Sequence, residues 1–452
     1  MNTPRMIPMR IDTTSHATTA PQTPMTTQRM RLGRVVCRGS GAAGMCRPSY
    51  RSWYSRSRRP GASLALALAV AIAVAAAASR PAVAEPVRLD VHRGPLVASS
   101  RITGLGGAFT GVAEGIDGAL KNPASLANRP ARSVTWFDYD LTLDWLLTTG
   151  ANLDYDADGL AIGEETSFSA VNLGVDLQLG PLAVGVLGAT VSYESEHGTA
   201  VIAGLSDVLI GVAWAFDDGS LIAGLGLNLR VFDLREPAVG AYGRFVGPSW
   251  DLGLLWRPRA LPWRVGAQVR LGARVVESAD EGDATALSQG RQVSAIIAPY
   301  QIAIGVSHWR AADPQRRYNA RLRSGSDVPS DRRRADLRYL LLSADLVYTG
   351  PSRDAYNIEG FLHGSPIRAG ERGVLSVHVG AEGEVLSNLL RARVGSYLEP
   401  SRVKGTSLGR LHLTGGVEVR LFRLWKWQIK ATFAFDAAAR WKNLTLGFGV
   451  WN

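Results

Sequence analysis

The sequence predicts an all-β chain: a transmembrane up-and-down antiparallel β-barrel of about fourteen strands (14–16), preceded by a segment that is not strand. Three observations predict it. An export leader opens the chain, period-2 alternation runs through most of the residues beyond the leader, and the connections alternate between short turns and long polar loops.

Residues 1–84 read as the leader. Ser63 to Ala78 form an unbroken run of small and apolar residues, preceded by Arg51, Arg56, Arg58 and Arg59 and followed by the small-residue site Ala82-Val83-Ala84. A membrane helix needs about 20 apolar residues, and the order basic, apolar, A-x-A is that of a cleaved secretory signal. Cleavage after Ala84 leaves residues 85–452. The leader also admits a start at Met45, which would leave residues 1–44 untranslated.

Cutting the chain there changes its composition. The leader holds twelve Arg and one Asp, which is the entire net charge of +11; the remainder carries 38 basic and 38 acidic side chains. The high pI is therefore no argument for nucleic acid as a partner. Cys37 and Cys46 also fall in the leader, so no disulfide framework, thiolate metal site or cysteine nucleophile survives export. Past the leader no stretch reaches 18 consecutive apolar residues. A helical membrane protein is excluded; an exported chain is then either a soluble all-β protein or a closed barrel, the other fold that satisfies its own backbone in lipid.

Residues 133–452 carry the barrel. In the first strand Phe137, Tyr139, Leu141, Leu143 and Trp145 alternate with Asp138, Asp140, Thr142 and Asp144. Over 263–276, Val265, Ala267, Val269, Leu271, Ala273 and Val275 alternate with Arg264, Gly266, Gln268, Arg270, Gly272 and Arg274. Over 411–422, Leu411, Leu413, Val417, Val419 and Leu421 alternate with His412, Thr414, Gly416, Glu418 and Arg420; residues 425–436 repeat the pattern. Such runs reach the nine to eleven or so residues a tilted strand needs to cross a bilayer.

Short turns are expected at Gly180-Pro181, Asp217–Ser220, Pro258–Pro262, Pro299, Thr349–Arg353 and Arg423-Leu424. Long loops are expected near 148–165, 194–205, 234–247, 277–290, 310–335, 363–372 and 399–408. Short turns at one mouth and long loops at the other mark an outer-membrane barrel. A direct tally gives about sixteen strands, with 354–362 and the 291–309 pair as its weakest members. The polar face is rich in glycine (Gly174, Gly224, Gly226, Gly266, Gly272, Gly416), as a crowded lumen requires. Tryptophans near strand ends (Trp145, Trp250, Trp256, Trp263, Trp309, Trp425, Trp427, Trp441, Trp451) fit interfacial girdles.

Residues 85–132 break the strand pattern. In 99–131 the glycines permit tight turns and close packing, and Asn122-Pro123 is a turn signal. The segment is compact, rich in small residues and suited to filling a lumen. The order Gly104-x-Gly106-Gly107-Ala108-Phe109, Val112-Ala113-Glu114, Asp117 and Lys121-Asn122-Pro123-Ala124-Ser125-Leu126 resembles the opening of FadL-like long-chain fatty-acid transporters and the related PorV-like barrels. Gly380-Ala381-Glu382 and Leu390-Arg391-Ala392-Arg393-Val394-Gly395 resemble a late strand pair of the same superfamily. The chain departs from the usual pattern in ending on Trp451-Asn452 rather than in an aromatic assembly signal.

The resemblance implies a plug within a barrel of about fourteen strands in the outer membrane. It also implies a function: passage of small hydrophobic compounds past the plug, shaped by Gly104, Gly106, Gly107, Ala108, Phe109, Asn122, Pro123 and Ala124. Its second implication is a PorV-like structural or shuttle barrel whose partner is a secreted or surface protein.

Enzymatic readings fail on context. Gly405-Thr406-Ser407-Leu408-Gly409 fits G-x-S-x-G, but in a hairpin loop with no strand-to-helix turn. Gly104-x-Gly106 lacks its third glycine and a βαβ frame. The six histidines past the leader are scattered, and no metal site or cofactor is expected. The charges that matter are those of the inward faces: Asp138, Asp140, Asp144, Arg264, Arg270, Arg274, Arg391, Arg393, Glu418 and Arg420 are candidate lumen-lining residues, paired across the lumen or set along a substrate path. Loop 310–335 holds eight Arg and is a candidate contact for lipopolysaccharide, while 154–165 is acidic.

Overall fold

The computed structural model describes residues 87–128, 136–148, 153–157, 166–195, 201–238, 240–276, 293–311, 318–319, 338–363, 366–387, 389–403, 409–424 and 427–450. The expectations for the leader, for Gly405–Leu408 and for most of the Arg-rich loop lie outside them.

Fourteen strands close a barrel in which each strand pairs antiparallel with its neighbours. They are β2 (Phe137–Thr148), β3 (Thr166–Leu179), β4 (Leu182–Ser195), β5 (Val201–Phe216), β6 (Leu221–Glu236), β7 (Ala241–Trp256), β8 (Trp263–Arg270), β11 (Gln301–Ala311), β12 (Tyr339–Thr349), β15 (Val374–Leu386), β16 (Leu390–Glu399), β17 (Arg410–Leu424), β18 (Trp427–Ala438) and β19 (Trp441–Val450). The last strand returns to the first, with Leu446 opposite Trp145 and Asn443 opposite Thr148. Closure gives every strand of the wall a partner on both sides.

The outward face of the alternation is apolar and exposed. Leu143, Leu173, Ile210, Leu346, Val394 and Leu413 are each more than 40 % exposed. In water such a continuous patch would be a liability; it is the surface a bilayer requires, and it makes this a transmembrane barrel. Trp136, Phe137, Trp214, Phe216, Trp256 and Trp263 gather at the short-turn mouth with their rings outward. Two of the predicted girdle residues are elsewhere. Trp441 is fully buried inside the long-loop mouth, and Trp309 stacks on Tyr318 and lies against Tyr339.

Five short strands form a second sheet at the long-loop mouth, in the order β14 (Arg368–Ala369), β13 (Ala355–Asn357), β1 (Arg88–Asp90), β10 (Ala295–Ala298), β9 (Ala273–Val276). Here β1 runs parallel to both β10 and β13. This sheet corrects the strand tally. Residues 295–298 leave the wall for the mouth, as do 355–357, which lead into a one-turn helix, Ile358–Leu362. The tally of sixteen thus falls to fourteen.

The two supernumerary strands cancel in phase, so the connections before 291 and beyond 353 keep their predicted sides. Between those limits the sides invert. Pro299 and 350–353 lie at the long-loop mouth, while β11 ends and β12 begins at the short-turn mouth.

The same sheet explains Arg274. Leu271-Gly272 interrupts the strand, and beyond the break the phase reverses. Ala273 and Val275 are buried, while Arg274 and Val276 are exposed. Arg274 therefore stands on β9, outside the barrel wall, and does not line the lumen. Beneath the sheet Leu89, Tyr155, Phe168, Tyr193, Phe361 and Trp441 share one buried apolar cluster. Phe168 meets Trp441 and Tyr193 edge-on, with ring centroids 5.3 and 5.1 Å apart.

Candidate functional site

The site is the lumen, and the N-terminal segment occupies it. From Ser99 to Asn128 nearly every residue is buried. The segment makes one helical turn, Ser100–Gly104, then bends through Gly106 and Gly107, whose φ angles of +62° and +78° disfavour side chains. A β-carbon on Gly106 would also lie 2.6 Å from the amide nitrogen of Ser396 in the wall. Two 3₁₀ turns come next, Ile116–Gly118 and Pro123–Ala127. Asn122 caps the second by accepting the Ala124 N–H at 3.1 Å, and donates to the carbonyls of Thr110 and Leu254, each at 3.0 Å. One amide side chain thus closes the segment on itself and ties it to β7.

A segment this poor in regular structure must find partners for its backbone groups elsewhere. The wall supplies them. Asp345 accepts the N–H groups of Phe109 and Thr110 at 2.8 and 2.7 Å. Asp144 accepts both the N–H and the hydroxyl of Ser100, and Asp140 accepts the N–H of Ile116 at 3.1 Å. Gln178 donates to Leu126 O, Arg270 to Leu120 O and Ser307 to Gly111 O. Glycines of the inward face let the segment approach. Added β-carbons at Gly224, Gly266, Gly305, Gly380 and Gly395 would collide with the backbone of Pro123, Thr110, Gly111, Leu105 and Gly106 respectively.

A charge network then joins segment to wall. Arg101 bridges Glu114 and Glu382, each at 2.9 Å. Glu114 also holds Arg264 at 2.6 Å. Glu382 accepts from Arg393 at 2.6 Å, Arg393 reaches Glu418 at 2.5 Å, and Arg391 reaches Glu418 at 2.9 Å. Arg264 further grips the short-turn mouth: it donates to Asn319 Oδ1 and Tyr318 O, with its guanidinium 3.5 Å from the Tyr318 ring centre. Asn319 in turn donates to the carbonyls of Pro258, Leu261 and Trp263.

Of the residues predicted to line the lumen, Arg264, Arg391, Arg393 and Glu418 thus meet in one network, and Asp140, Asp144 and Arg270 each bond the segment. Asp138 accepts the N–H of its neighbour Tyr139, and Arg420 is half-buried opposite Lys430. Of the predicted segment residues, Ala108, Phe109 and Ala124 are fully buried, as are Gly104, Gly106, Gly107 and Pro123.

Glu382 and Asp345, with Arg101 as the segment's own cation, are the contributors the sequence reading missed as a set. Asp345 could have been found: it is the lone carboxylate within the apolar run 340–348. So could the Glu399–His412–Asp436 group on β16–β18, where His412 lies 2.6 and 2.7 Å from the two carboxylates.

Between the segment and the mouth sheet lies a cavity of about 150 Å³. His92, Arg93, Lys121, Asp207, Arg230, Arg270, His378 and Glu399 line it, together with Leu96, Leu120, Ala303 and Val347. Lys121 belongs to the lumenal segment, not to a spanning strand. Burial, and then Arg270, push its amine down to about 8, against an opposing pull from Asp345. Burial likewise holds His92 well below the usual imidazole range, with Arg402, Arg230 and Lys121 adding to it.

Together these features define a transmembrane barrel whose lumen holds its own N-terminal segment. No protein-family profile matches the chain, and no curated protein does. Solved structures similar to it include a FadL homologue of Pseudomonas aeruginosa, with 12% identity and a TM-score of 0.47, covering 80% of this chain and 98% of that one. The CymD monoaromatic hydrocarbon channel gives 12% and 0.48 over 78% and 96%. The toluene transporter TodX of Pseudomonas putida gives 13% and 0.46 over 80% and 99%.

Proposed function

We propose that the protein is an outer-membrane transport barrel of the FadL-like kind, that residues 99–128 are its plug, and that small hydrophobic compounds cross by diffusion once the plug yields. The observation that carries this reading is the way the segment is held. Its backbone is bonded to wall side chains and its turns sit on wall glycines, yet no strand of 99–128 joins the barrel sheet. It can therefore move without breaking the hydrogen-bond ladder of the wall. The apolar cluster beneath the mouth sheet, with Tyr155, Phe168 and Trp441, supports the substrate class, since a compound entering by that mouth has an apolar layer to cross. In an outer membrane that mouth faces the exterior.

The test is electrical. Full-length protein in planar bilayers is compared with a chain lacking residues 99–128 and with Arg101→Ala, which loosens the plug without deleting it. Deletion is expected to open a steady pore, and Arg101→Ala to give transient openings. Conductance identical in all three would remove the plug from the mechanism.

A further inference from the structure

The chamber above the segment carries a charge that its surroundings do not balance. Arg93 and Arg230 share a single carboxylate, Asp207, at 2.9 and 2.6 Å. Arg270 is matched by Asp251, and Glu399 is matched by Arg410 and His412. Lys121 makes no ion pair among the described residues: Asp345, the carboxylate that attracts it, is bonded to the Phe109 and Thr110 amides, and the two carboxylates lining the cavity, Asp207 and Glu399, are already paired. The remainder of the lining is in good part aliphatic. A half-buried cation with no ion-pair partner in such a chamber is costly to keep and is a frequent mark of a binding site.

We infer that this chamber is a binding site for a small organic anion, a carboxylate on an apolar body of about one ring, with the carboxylate at Lys121 and beside the Arg93–Asp207–Arg230 group. Size sets the body, because a cavity near 150 Å³ holds one benzene-sized molecule. Charge sets the head: one carboxylate satisfies the ammonium and meets the surplus guanidinium across Asp207. Such a ligand is both smaller than a long-chain lipid and unlike a bare hydrocarbon, for which the charged part of the lining would go unsolvated. The inference deepens the transport reading by naming its cargo, but the site itself does not depend on passage.

The probes are benzoate and its neutral analogue benzyl alcohol, titrated calorimetrically into the full chain in detergent. Wild-type protein should bind one benzoate, and benzyl alcohol about tenfold more weakly or worse, as expected from losing a charge-assisted bond. Lys121→Met should lose benzoate by a similar factor and leave benzyl alcohol unchanged, while Lys121→Arg retains benzoate. Equal affinity of wild type for the two probes would overturn the inference without any variant, and so would undiminished benzoate binding by folded Lys121→Met. Benzoate bound with this selectivity but not transported into proteoliposomes would uphold the site and sink the transport reading instead.

Discussion

Arg393 lies between Glu382 and Glu418 with no exposed side-chain surface on any of the three. Cutting one partner from such a group leaves a buried charge unmatched, which costs about 3–5 kcal/mol, far more than a surface pair. Arg393→Ala should therefore lower barrel stability by that order, and Glu382→Gln in the same background should recover part of it, a coupling measurable by urea titration in lipid vesicles. Lys121 is expected to behave in the opposite sense. Its folded-state pKa of about 8 lies below the ordinary value of 10.5. Between those values the unfolded chain binds the extra proton, so the lysine's destabilising effect is complete below about pH 8 and fades as pH rises to 10.5. Lys121→Met should consequently melt above wild type at pH 7, with the gap closing by pH 10.5, as read from the heat-dependent gel shift of the barrel. Equal midpoints at pH 7 would show that the ammonium is not under strain. A residue that lowers stability in this way fits a role in binding.

Among the elements, the contact between the N-terminal segment and the wall depends on the absence of side chains as much as on their presence. Gly395→Val would drive a branched side chain into the backbone of Leu105 and Gly106. The expected result is a folded barrel with raised conductance, because the wall's own ladder is untouched while the segment cannot seat. Gly188→Ala, where the nearest atom to an added carbon is Leu173 O at 3.9 Å, should conduct as wild type does. This glycine belt was visible in the sequence as a polar face oddly rich in glycine, and so was the alternation that defines each long strand. The mouth sheet was not. Its strands are two to four residues long, two of its pairings are parallel and join residues more than two hundred positions apart, and Ala295-Ile296-Ile297-Ala298 has no alternation to read. Arg274 was misplaced for the same reason. A pattern of period 2 continues unbroken through Leu271-Gly272 in the sequence, while the chain there leaves one sheet for another. The lumenal charges were legible as inward-facing; their partners were not, since Arg101, Glu382 and Arg264 come from parts of the chain that only closure brings together.

At the scale of the whole molecule, the fold and the proposed site both depend on which face of the alternation meets hydrocarbon. The inward face is polar, hydrogen-bonded and occupied; the outward face exposes Leu173 at 57% and Phe216 at 48%. These two positions test the same surface at different depths. Leu173 is in the middle of β3, while Phe216 closes β5 at the short-turn mouth among the aromatic residues of that rim. If acyl chains surround the barrel, Leu173→Arg should cost about 2–4 kcal/mol and Phe216→Arg about 0–1 kcal/mol, because a guanidinium near the interface reaches the headgroups and one at the midplane does not. Folding into lipid vesicles across a urea series resolves a difference of that size. Similar small costs at both depths would mean that water, not lipid, covers the exterior, and the lumen would then be the core of a soluble protein with no compartments to connect.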